Sequence, residues 1–229
     1  MEENFVVVEE HALVKAQQEY MSKVYSWMVG GLLITAFTAW FTMSSGFIES
    51  IGSMIILLII IEFGLVIALS GWISKMSTTT ASASFLAYSF LNGLTFSVLL
   101  LRFSEDAIFT TFSVTACMFA ALSLYGFVTK KSLSGVGQFM MMGLVGLIAA
   151  SILNFFFQSS AMNFIINVIG VIVFAGLTAY DTQKIKEMYS LQYEGSEIAT
   201  KGAIIGALVL YLDFINLFLF ILSFFRRNN

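Results

Sequence analysis

Apolar residues fall along this chain in seven long runs separated by short polar stretches. The runs cover approximately Trp27–Met43, Ile51–Trp72, Thr80–Leu101, Ile108–Phe127, Phe139–Phe157, Asn163–Tyr180 and Ala203–Phe225. A bilayer core takes about 20 apolar residues of helix, and a helix satisfies its own backbone hydrogen bonds, as lipid requires. The pattern therefore predicts an all-α integral membrane protein with seven transmembrane helices in one domain. The stretch before Trp27 mixes charged and apolar residues at helical spacing, which predicts an amphipathic helix at the interface. The chain then divides into a cytoplasmic or interfacial segment (1–26), a membrane domain (27–225) and a short tail (226–229). The longest polar connection, Thr182–Gly202, carries Lys184, Lys186, Glu187, Glu194, Glu197 and Lys201. No repeat of transporter type stands out.

Composition sharpens the membrane assignment. Charged residues make up 11% of the chain and hydrophobic residues 59%, with a mean hydropathy of +0.90; an ordinary soluble domain is about a quarter charged. The net charge of −3 with scattered cations excludes a nucleic-acid surface. Glu2, Glu3, Glu9 and Glu10 precede the first apolar run, where a secretory signal would need basic residues, so no cleaved leader is expected. The single cysteine, Cys117, is expected to be a small core residue, His11 to be solvated, and Met140, Met141 and Met142 to be lipid-facing or packing bulk. With the N-terminus in the cytoplasm, eight lysines (15, 23, 75, 130, 131, 184, 186 and 201) lie inside, and only Arg102, Arg226 and Arg227 outside. Arg226 and Arg227 favour instead a six-span arrangement with one re-entrant segment.

Every lysine and arginine lies in a loop or at a helix end, yet three acids, Glu62, Asp181 and Asp213, sit in or against the apolar runs. A charge at membrane depth costs a few kcal/mol or more, so it pairs, faces water or takes up a proton. With no buried cation on offer, the carboxyls either share protons or bind a metal cation such as calcium. On the last helix Gly202, Gly206, Asp213, Asn216 and Ser223 share a face, and Gly202 and Gly206 admit a close neighbour. On the sixth, Asn163, Asn167, Gly170, Thr178 and Asp181 trace a similar stripe. Two such stripes are expected to face each other, although the predicted limits put Asp181 at a helix end and Asp213 at mid-helix. Asp181 has a second reading, as an interfacial acid paired with Lys184 one turn later. Glu62 and Asp213 also have a structural alternative, as hydrogen-bonded acids without a role in transport.

The stretches Ala179-Tyr180-Asp181-Thr182-Gln183-Lys184-Ile185-Lys186 and Tyr211-Leu212-Asp213-Phe214-Ile215-Asn216-Leu217-Phe218 resemble the two signatures of the transmembrane Bax inhibitor motif family. Length, seven runs and an acidic N-terminal segment agree with its bacterial members. The resemblance implies six helices around a central C-terminal seventh. It implies that Asp181 and Asp213 form a hydrogen-bonded pair that senses pH and gates a calcium leak. Glu62, in Ile61-Glu62-Phe63, is similar to a second-helix acid in the ion path, with Asn216 beside that path. Family members can latch the aspartates with an arginine after the second helix; Lys75 is the nearest cation here and lacks the bidentate fork.

The expected function is therefore a pH-sensitive calcium leak in a bacterial inner membrane. Its partners are the bilayer, calcium and protons; it has no cofactor and no catalytic residues. A non-conducting regulator of other membrane proteins and a proton-coupled carrier are the alternatives from other classes. An intramembrane aspartyl protease fits poorly. Leu210-Tyr211-Leu212 precede Asp213 where such proteases resemble Gly-x-Gly, and a chain without proline lacks their downstream motif. A retinal protein is disfavoured because the last helix has no internal lysine for a Schiff base.

Overall fold

The computed structural model describes residues 2–189 and 196–225, with side chains left out at 2–12, 49 and 50. The side chain of His11, residues 190–195 of the long connection and the 226–229 tail with Arg226 and Arg227 lie outside the described residues. Among the described residues seven α-helices follow one another: α1 (Glu2–Ser44), α2 (Ile48–Trp72), α3 (Thr78–Leu100), α4 (Glu105–Val128), α5 (Ser134–Phe157), α6 (Ser160–Glu187) and α7 (Glu197–Leu222). Each contains an apolar stretch long enough to cross a membrane, so the chain is a multi-pass integral membrane protein with seven spans.

Helix ends differ from those predicted. Hydropathy drops at Tyr180, but α6 runs on to Glu187 because its polar residues find hydrogen-bond partners there. The segment before Trp27 is no separate amphipathic helix. It continues α1, and Ala16, Tyr20, Met21 and Val24 are buried. Capping sets other boundaries. Ser77 accepts from the Thr80 amide at the start of α3, and Ser104 from the Ala107 amide at the start of α4. Gln158, in a left-handed conformation, ends α5.

The chain forms two compact units. The first comprises Met1–Leu101 and Ile185–Tyr211, the second Arg102–Lys184 and Leu212–Asn229. In the first, α1 and α3 approach through small residues. A Cβ on Gly31 would stand 2.7 Å from the Phe85 ring, and one on Gly93 2.6 Å from Thr38 Cβ. Gly202 and Gly206 of α7 do the same for Tyr20, Val24 and Ile185, as the small-residue stripe predicts. Tyr211 is fully buried there, its hydroxyl 2.6 Å from Thr35 Oγ1 and its ring edge-on to Phe85 and Tyr88.

In the second unit Leu147, Ile166, Val173, Phe174, Leu177, Leu217 and Ile221 make one buried cluster between α5, α6 and α7. Cys117 is exposed on the outside of α4 and is not a core residue. The packed face of that helix is the stripe Thr111, Thr115, Phe119, Ser123 and Gly126, and Cys117 lies off it. Met141 and Met142 are likewise exposed, while Met140 packs on Gly176. Of the seven spans α7 is the most enclosed, with 61% of its apolar window buried against 6% for α2.

An aspartate pair as candidate functional site

Asp181 and Asp213 both belong to the second unit, and the packing of α6 on α7 brings them together. Gly170 leaves room for the Phe220 ring, and Phe174 stacks on the same ring at 5.7 Å. One turn further along α6 and one turn back along α7, Leu177 and Leu217 share the buried cluster. The next turn of each helix carries Asp181 and Asp213, so the packing sets the two carboxyls on adjacent turns. The apparent difference in depth disappears because α6 continues past Asp181 to Glu187.

The two carboxyls sit in unequal surroundings. Asp213 is 4% exposed, and its Oδ2 has no hydrogen-bond partner among the described residues. Asp181 is half-buried. No hydrogen bond joins the two carboxyls among the described residues. Neither makes an ion pair among the described residues. In particular Asp181 is not paired with Lys184, whose ammonium lies over the Tyr180 ring, 5.6 Å from its centre.

The residues around Asp181 explain its fixed position, and each was missed as a functional residue in the sequence. Gly126 of α4 brings that helix so close that a Cβ would overlap the Ala179 carbonyl. Gly137 of α5 leaves the same kind of space for the Tyr180 ring. The Thr182 hydroxyl lies 2.9 Å from Ser123 Oγ, and Thr182 itself donates to the Thr178 carbonyl. Buried Gln183 accepts from the Leu133 amide at 2.7 Å and donates to the Lys131 carbonyl at 2.9 Å, binding the α4–α5 connection to α6. The available signal was the polar run after Asp181, which reads as a loop unless its partners are known.

Other predicted site residues are placed differently. On α7, Phe214 meets Phe112 and Phe119, while Asn216 donates to the Leu212 carbonyl of its own helix. Asn163 is exposed and pairs with Asn154 instead of extending a stripe toward α7, because it lies beside the turn that joins α5 to α6. Glu62 and Lys75 belong to the first unit. Thr95 donates to Glu62 Oε1. Lys75 is exposed in the Ile73–Lys75 turn and makes no ion pair among the described residues, so it latches nothing there. No group of three or more His, Cys, Asp or Glu able to hold a metal occurs among the described residues. Calcium takes about six to eight oxygens, more than two carboxylates supply.

Comparison with known proteins identifies the relatives of this chain. The family model described as inhibitor of apoptosis-promoting Bax1 matches residues 17–229. An Escherichia coli K12 protein named inner membrane protein YbhL is 46% identical over 216 residues, 92% of each chain. An uncharacterized Borreliella burgdorferi protein is 42% identical over 229 residues, covering 97% of this chain and 99% of its own. A Streptococcus pyogenes protein, described as an uncharacterized membrane protein, is 35% identical over 218 residues.

Proposed function

Because the chain belongs to the family of the inhibitor of apoptosis-promoting Bax1, we propose that it is a pH-sensitive calcium leak of a bacterial inner membrane, gated by Asp181 and Asp213. The observation that carries this reading is the placement of two acids without an ion pair on adjacent turns of α6 and α7, one of them buried with an unpartnered oxygen. Two carboxylates that close together do not both ionise readily at membrane depth. With one proton shared between them, α6 and α7 stay joined and the path is shut. Loss of that proton sets like charges against each other, loosens the helix contact and leaves a doubly anionic site for a cation.

Calcium is the cargo in this scheme. Asp181 and Asp213 offer it oxygens at the gate, and Glu62 supplies a further carboxylate on its route. Asn216 keeps its side-chain oxygen available, since the hydrogen bond to Leu212 uses its amide nitrogen. No covalent step is assigned to either aspartate, and the protein is not proposed as an enzyme. The name of the Escherichia coli relative supports the inner membrane, and the lysine distribution supports a cytoplasmic N-terminus.

Efflux from calcium-loaded liposomes containing the purified protein tests this function. With charge compensation supplied by potassium and valinomycin, a leak releases calcium down its gradient without coupling to another ion. A carrier releases it only when protons or another ion move in exchange. A non-conducting regulator releases no more than protein-free vesicles, and that result would remove the proposal.

A further inference from the structure

The first unit carries a second feature, outside the aspartate site, that the transport reading does not use. A cavity of about 400 Å³ opens on α1 and α3, lined by Ser22, Lys23, Ser26, Trp27, Gly30 and Leu86. Lys23 is the last charged residue before an uncharged stretch from Val24 to Ile48, which fixes its depth. An uncharged run of that length spans the hydrocarbon core, which assigns the Lys23 ammonium to the headgroup boundary. It is exposed and makes no ion pair among the described residues.

The rest of the cavity is graded in polarity along α1. Ser22 and Ser26 lie beside Lys23, and Ser26 donates its proton to the Ser22 carbonyl, which leaves its oxygen lone pairs free. One turn deeper stands Trp27, held edge-on to Phe85 at 6.2 Å, at the level where tryptophan anchors to headgroups. Deeper still, Gly30 makes a notch: a Cβ built there would meet nothing within 4 Å. Exposed Leu86 forms the other wall. A cation at headgroup level, hydroxyls just below it and an apolar notch beneath reproduce the order of groups in a phospholipid.

We propose that this cavity is a binding site for one anionic phospholipid, with its phosphate on Lys23, its glycerol region at Ser22 and Ser26, and one acyl chain along Gly30 and Leu86. The charge of Lys23 selects an anionic headgroup over a zwitterionic one. The opposite face of α1 presents Tyr20 and Val24 to Gly202 and Gly206 of α7, so the bound lipid backs a helix contact of the first unit. The assignment is independent of the calcium reading.

The test is lipid retention by the full-length protein in detergent, with phosphatidylglycerol and phosphatidylcholine of identical chains as probes, read by native mass spectrometry. Wild-type protein should hold one phosphatidylglycerol about fivefold more tightly than phosphatidylcholine, the preference that one interfacial lysine confers. Lys23→Gln should abolish the preference and Lys23→Arg should keep it. Gly30→Phe, which fills open space and leaves the core alone, should weaken both lipids at this site, and Lys130→Gln should change neither. Equal retention of the two lipids by wild-type protein would overturn the proposal. So would a preference that survives Lys23→Gln, or tight binding that survives Gly30→Phe.

Discussion

The Gln183 side-chain oxygen accepts a 2.7 Å hydrogen bond from the backbone amide of Leu133, fifty positions earlier in the chain. The same side chain donates to the Lys131 carbonyl. Two residues after Asp181, a buried amide thus fixes both the connection between α4 and α5 and the turn of α6 that carries the candidate gate.

Gln183→Ala should therefore reach beyond local packing. It leaves the buried Leu133 amide without its partner, which costs about 1–3 kcal/mol. A lowered unfolding temperature in detergent measures that loss. In liposomes the same variant should alter the pH profile of calcium release, because Asp181 loses a restraint. A variant with wild-type stability and wild-type profile would show that the staple positions nothing.

Close helix packing near the site predicts a contrast between glycines. Gly126→Ala pushes a methyl into the Ala179 carbonyl, and backbone yields less readily than a side chain. It should sharply reduce the yield of folded protein. Gly146→Ala lies on an apolar helix with nothing within 4 Å. It should be neutral or stabilising by up to about 1 kcal/mol. Thermal unfolding of the two variants side by side checks the difference.

The buried Tyr211 hydroxyl gives a prediction that a double-mutant cycle reads. Thr35 Oγ1 lies 2.8 Å from the Ser89 carbonyl and 3.0 Å from the Gly31 carbonyl, so its one proton is committed and Tyr211 is the donor between the two hydroxyls. Tyr211→Phe should lower stability by about 1 kcal/mol. Combined with Thr35→Val, the losses should fall short of additive by a comparable amount. Strict additivity would mean that the hydroxyl contact contributes nothing.

Lys184 offers a check on the simpler account of Asp181. Its ammonium lies over Tyr180 and forms no ion pair with the aspartate. Lys184→Gln should accordingly leave the pH dependence of calcium release in place. A lost dependence would restore the reading of Asp181 as an interfacial acid held by its neighbour.

These residues also mark how far the sequence could be read. Seven apolar runs of spanning length are visible because the bilayer sets that length, and the acids stand out against them. Where α6 ends is not visible. Thr182 and Gln183 look like loop residues until Ser123 and Leu133, distant in sequence, are placed beside them. Cys117 was misplaced because its apolar neighbours were read as core, whereas the stripe Thr111, Thr115, Ser123 and Gly126 marks the packed face of α4 and Cys117 lies off it. Asp213 was legible from depth alone. Spacing left Asp181 ambiguous and the family resemblance named it as the partner of Asp213, while the packing of α6 on α7 at Gly170, Phe174 and Phe220 is visible only in the structure.

The measurement that tests the central claim most directly is calcium release from liposomes as a function of pH, comparing wild-type protein with Asp181→Asn, Asp213→Asn and the double variant. Each substitution keeps the size of the side chain and removes its titration. Wild-type release should rise as pH rises through ionisation of the pair, because the closed state depends on a shared proton. The double variant should release calcium at a rate that no longer changes with pH, and each single variant should lose most of the dependence. A double variant that folds and still follows the wild-type pH profile would contradict the aspartate gate.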